Sequence, residues 1–95
     1  MKAKRIFYDR GIYPDGAIVE MIIWAVPDSV PGSTHHFKYR LFYGYQGNRV
    51  VCYDNERGKV DHLHFHGVQK SYTFTTVERL VQDFLNDIKE VRGDL

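Results

Sequence analysis

The sequence predicts an α+β fold: an antiparallel sheet of about five strands with one C-terminal helix packed on one face. Three observations predict it. Residues 37–45 alternate strictly, with Phe37, Tyr39, Leu41, Tyr43 and Tyr45 on one parity and Lys38, Arg40, Phe42 and Gly44 on the other, which is the period of a strand. Val77, Leu80, Val81, Phe84, Leu85, Ile88 and Val91 recur at helical spacing and form one apolar stripe. Short runs rich in aromatic, Val and Ile residues are separated by turn residues, the pattern of a sheet built from hairpins.

The first strand is read at Arg5–Tyr8, running on toward Tyr13. Tyr13-Pro14-Asp15-Gly16 is a turn: Pro presets φ, Asp bonds the backbone and Gly accepts positive φ. Ala17–Val26 is apolar on both parities except at Glu20, so it reads as a central strand paired with the first. Residues 27–33, with two prolines, a glycine and two serines, form the one clear loop. Phe37–Tyr45 is the third strand, Gln46-Gly47-Asn48 a turn, and Arg49–Asp54 the fourth strand. Residues 54–59 are polar and read as a loop. Val60–His66 reads as the fifth strand, with Leu63 and Phe65 toward the core and His62, His64 and His66 facing away. Tyr72–Phe74 adds a short last piece of sheet. Thr75 and Glu78 fit a capping box at the helix start, Lys89 and Arg92 suit its negative end, and Gly93 stops it.

A chain of 95 residues has room for a single domain, 1–95. Thirteen Lys and Arg against twelve Asp and Glu leave a net charge of +1. A basic surface must therefore be local. No apolar stretch approaches the roughly 20 residues that cross a bilayer. The basic N-terminus lacks a following apolar segment, so it is not read as a secretory signal. One cysteine, Cys52, makes no internal disulfide and reads as a small core residue; the expected location is the cytoplasm.

Chemistry concentrates in residues 54–66, which hold acids, cations and three of the five histidines. One reading is a metal site. His62 and His64 lie on one strand face roughly 7 Å apart, with Asp54, Glu56 or Asp61 to complete the shell. A second is metal-free acid–base chemistry on a phosphodiester. One imidazole accepts a proton, the other donates one, and Lys59 and Arg57 neutralise the phosphate. A third is binding alone, with Lys38, Arg40 and Arg49 among aromatic residues as a surface for single-stranded nucleic acid. The plain reading is a set of polar residues on an outer sheet face. His35 and His36 are adjacent, so at most one of them can join a site.

Tyr53-Asp54-Asn55-Glu56-Arg57-Gly58-Lys59 followed by Asp61-His62-Leu63-His64 resembles the signature of the TumE family of toxins. Pro14-Asp15-Gly16, Val30-Pro31-Gly32-Ser33, Phe37-Lys38-Tyr39-Arg40-Leu41 and Asp83-Phe84 agree in order. The resemblance spans nearly the whole chain. Two positions depart from the family pattern: Val60 where glycine is common and Leu63 where arginine is common. The resemblance implies a toxin of a type II toxin–antitoxin pair. Its partner would be a small helix-turn-helix antitoxin from the neighbouring gene, its target RNA or the ribosome, and oligomers are compatible with it. On this reading His62 and His64 are the acid–base pair, Asp61 or Asp54 orients an imidazole, and Lys59, Arg57, Lys38 and Arg40 meet phosphate, with no cofactor.

Overall fold

A computed structural model describes residues 2–56 and 60–93. Its element order is β1 (Lys4–Ile12), β2 (Ile18–Ala25), β3 (Phe37–Tyr45), β4 (Asn48–Asp54), β5 (His62–Phe65), β6 (Val68–Ser71) and α1 (Val77–Arg92). The strands form one antiparallel sheet in chain order, each beside its neighbour in sequence. The fold class is the expected α+β, with six strands where the patterning suggested about five. The additional strand is β6. Its segment, Val-Gln-Lys-Ser, is exposed at every position, so it carries no alternation to read. Tyr72–Phe74, expected as the last piece of sheet, runs beyond the ladder.

Two hairpin turns carry paired left-handed residues. Gln46 and Gly47 have φ of 50° and 78°, and His66 and Gly67 have φ of 51° and 80°. Two consecutive positive φ values make the turn whose twist matches the flanking strands. His66 therefore belongs to a turn and not to a strand face.

The helix covers β3 and β4. Leu80, Phe84 and Ile88 are buried at four-residue spacing and meet Met21, Ile23, Tyr39, Leu41, Tyr43, Val51 and Tyr53 from the sheet. Leu63 and Phe65 pack against this cluster as expected. A bulge between Tyr43 and Gly44 in the β3–β4 ladder sends Val50 toward the same core. The N-cap is Thr76, one residue later than expected: its hydroxyl accepts from the Arg79 amide at 3.1 Å. Gly93 ends the helix in the left-handed conformation and donates to the Lys89 carbonyl. Arg92 ties this end to the β1–β2 turn. Its guanidinium lies 3.8 Å from the Tyr13 ring centroid and donates to Tyr43 and Asp15. Among the described residues, the opposite face of the sheet carries no second layer of secondary structure.

Candidate functional site

Paired residues in a ladder point to one face, so the registers assign the open face in rows. The first row is Arg5–Trp24–Lys38. The second is Tyr8–Ile22–Arg40–Asp54–His62–Ser71. The third is Arg10–Glu20–Phe42–Cys52–His64–Gln69. The fourth is Ile12–Ile18–Gly44–Arg49. Among the described residues, five cations and two acids thus share one face of a chain whose net charge is only +1, and the basic patch is local.

Asp54, His62, His64, Lys38 and Arg40 all lie on this face. Asp54 and His62 pair directly across β4 and β5, and the Asp54 carboxylate meets His62 Nε2 at 3.0 Å. His62 Nδ1 meets the Val60 carbonyl at 3.0 Å. The ring is thus held from both nitrogens. Edge-to-face against His62, with centroids 5.3 Å apart, lies His64. Arg49 donates to His64 Nδ1 at 3.3 Å. Lys38, Arg40, Arg49, Asp54 and Glu56 line an open groove of about 390 Å³ beside this pair. The sequence reading named Arg49 only among the binding cations. Its contact with a histidine 15 residues away leaves no local signature.

His62 was expected to face away from the core. It does face away from the helix, but it is 4% exposed. Parity assigns a face and says nothing of depth; here Asp54 across the ladder and His64 beside it cover the ring. Removing it is correspondingly costly. His62→Ala is expected to lower stability by about 1–3 kcal/mol, because Asp54 and the Val60 carbonyl lose their buried partner, against roughly 0.5 kcal/mol for an exposed side chain. Urea unfolding midpoints measure this, and an unchanged midpoint would contradict the pairing.

Asp61 turns to the other side. One carboxylate oxygen accepts from the Ser33 hydroxyl. The other meets His35 Nε2 at 2.6 Å and accepts from the Tyr39 hydroxyl at 2.8 Å. His35 Nδ1 accepts from the Phe37 amide, which puts the proton of the neutral ring on Nε2. The His35 ring stacks on Phe74 with centroids 3.9 Å apart. Beneath it, fully buried Asn55 donates to the Phe37 carbonyl and to Ser33, and accepts from the Tyr39 amide. Each aspartate of the signature therefore orients a different imidazole: Asp54 holds His62 and Asp61 holds His35. Burial, with donation to Asp61, holds the Tyr39 hydroxyl far above the usual tyrosine range. Nothing local announced this network, since His35 and Asp61 stand 26 residues apart.

Arg57 and Lys59, read as phosphate contacts, lie outside the described residues. Cys52 is buried, and burial pushes its thiol up to about 11, so at neutral pH it is a packed thiol and not a nucleophile. Among the described residues no three His, Cys, Asp or Glu side chains converge on a point where a metal could sit. No described helix is long and apolar enough to cross a membrane.

A family model described as Toxin TumE matches residues 2–92. No curated protein and no solved structure matches the chain.

Proposed function

The chain belongs to the TumE toxin family and is the toxin component of a toxin–antitoxin system, and from that premise we propose that it arrests growth by cleaving RNA on the open face of its sheet. The observation that carries this reading is Arg49, which lines the basic groove and also donates to His64 Nδ1. A phosphate bound at Arg40 and Arg49 draws the Arg49 guanidinium onto itself. That exposes the lone pair of His64 Nδ1, which takes the proton from the RNA 2′-hydroxyl. The 2′-oxygen attacks phosphorus, the bond to the 5′-oxygen breaks, and the proton passes to that leaving oxygen. The product ends in a 2′,3′-cyclic phosphate. Arg40 and Lys38 neutralise the charge that develops on the equatorial oxygens. This route uses the 2′-hydroxyl as nucleophile and calls for no metal ion.

His62, with both nitrogens engaged, is a positioning residue in this scheme. It holds the edge of His64 and is itself held by Asp54. The proposed antitoxin is a helix-turn-helix protein encoded beside the toxin, and the RNA is free or in the ribosome.

The test is induced expression together with a cleavage assay. The protein is expected to stop growth and to cut RNA, with His64→Ala slowing cleavage about 10²–10⁴-fold while circular dichroism stays unchanged. A 2′-deoxy substitution at the scissile nucleotide is expected to abolish cleavage. Equal cleavage of the deoxy substrate, or full toxicity of folded His64→Ala, defeats the scheme.

A further inference from the structure

The open face also carries aromatic rings that the cleavage scheme does not use. Trp24 stands in the first row, Tyr8 in the second and Phe42 in the third, on three adjacent strands. Each of these rows includes at least one cation. Rows are about 7 Å apart along a strand, and strands are about 4.8 Å apart. The rings are therefore staggered across the sheet at distances that neighbouring nucleotides can span.

The position of the Phe42 ring depends on a glycine. A Cβ on Gly44 would lie 2.6 Å from the Phe42 ring, a contact no folded chain sustains. The ring thus rests against Gly44, in space that a side chain there would fill. Two of the rings carry a guanidinium: Arg40 lies 5.0 Å from the Phe42 centroid and Arg5 lies 5.2 Å from that of Tyr8. In each pair the guanidinium lies over the ring, and a base that takes its place on the ring leaves the cation to reach a phosphate. Tyr8 is 46% exposed, while Trp24 and Phe42 are half-buried.

We infer that this face is a platform for unpaired bases, so that the substrate is single-stranded RNA stacked on Tyr8, Trp24 and Phe42 and held by Arg5, Lys38 and Arg40. This rests on the RNA reading above and adds the strandedness of the substrate. In a duplex the base faces are already stacked on one another, and half-buried rings on a sheet cannot reach them. Stacking is tolerant of sequence because every base has a π-face, so this part of the surface supplies affinity and not a code.

The chain contains a single tryptophan, and it lies on this platform, which makes it an internal reporter. The experiment titrates the full-length His64→Ala protein, at one fixed salt concentration, with a 12-nucleotide RNA and with the same RNA annealed to its complement. Expected are quenching of Trp24 emission by the single strand and binding at least tenfold tighter than to the duplex. Tyr8→Ala, on an exposed side chain that the fold does not depend on, is expected to weaken single-strand binding about fivefold or more. Phe42→Ala is expected to do the same. Tight binding of the single strand with unchanged Trp24 emission, or equal affinity for the duplex, overturns this inference and leaves the RNA reading standing. Failure of both RNAs to bind overturns both.

Discussion

Raising the pH from 10 to 12 is expected to unfold the domain in one step. Three tyrosines donate to carboxylates in the folded state: Tyr39 to Asp61, Tyr53 to Asp87 and Tyr72 to Asp83. Burial first, then these bonds, raise all three hydroxyls above the ordinary value of 10.0. The folded chain keeps these protons at a pH where the unfolded chain releases them. The stability they contribute is therefore whole below pH 10 and falls as pH rises toward the folded values. Each such proton costs about 1.4 kcal/mol per pH unit. Tyr39 and Tyr53, both 2% exposed, count in full, so together they remove about 3 kcal/mol per unit. Tyr72 is half-buried and screened by water, and it adds less. Cys52, raised from 9.0 to about 11, begins the decline one unit earlier. A domain holding about 5–15 kcal/mol is largely exhausted by this near pH 12. Far-ultraviolet circular dichroism and tyrosinate absorbance, followed together, check it. Tyr39, Tyr53 and Tyr72 are expected to ionise only as the sheet melts. Complete ionisation near pH 10 with intact dichroism would contradict the argument. Tyr39→Phe is expected to flatten the slope by one proton.

Asp61→Ala is expected to lower stability by about 3–5 kcal/mol. The substitution strips the acceptor from three donors at once, on Ser33, His35 and Tyr39. A buried donor left without a partner costs about 1–3 kcal/mol, and neighbours that share one acceptor do not add in full. The loss extends beyond the hydrogen bonds. His35 is the ring on which Phe74 stacks, and Phe74 belongs to the segment that leads into the helix. The loop before β3 and the entry to α1 are therefore fastened at one carboxylate. Thermal and urea unfolding measure the effect; a domain of this length loses about 4–8 °C in Tm per kcal/mol. Asp61→Asn separates charge from shape. It keeps an acceptor oxygen but turns an NH2 group toward donors, and an intermediate loss is expected. A shift of under 1 kcal/mol in Asp61→Ala would mean that water replaces the carboxylate with ease, and that the network holds little.

The elements were legible wherever one face of a segment is buried. Phe37–Tyr45 alternates because Tyr39, Leu41 and Tyr43 meet the helix while Lys38 and Arg40 do not, and its bounds are those the alternation predicts. The helix is legible for the same reason, through Leu80, Phe84 and Ile88. β6 was not, because none of its side chains is buried and no period is imposed on it. At the candidate site, parity put His62 and His64 on one face, where the registers also put them, together with Asp54. Parity could not distinguish buried His62 from half-buried His64, since depth depends on what stands across the ladder. Nor could it foresee Asp61, which precedes β5 in a bend whose direction is decided by Ser33, His35 and Tyr39.

The sheet runs β1 to β6 in the order of synthesis, and the layer that closes its core comes last. Hairpins between sequence neighbours form quickly once both strands have left the ribosome. The sheet alone, however, leaves Tyr39, Leu41, Tyr43, Val51 and Tyr53 bare to water until Leu80, Phe84 and Ile88 arrive. A nascent chain therefore lacks its closed core until α1 has been made. The same ordering shapes inheritance. A stop codon or frameshift anywhere upstream of α1 yields a sheet with one naked apolar face, fit for aggregation and proteolysis and not for residual activity. Loss of toxicity is therefore open to mutation throughout β1–β6, and survivors of unopposed expression should carry truncations scattered through these strands as well as substitutions at the open face.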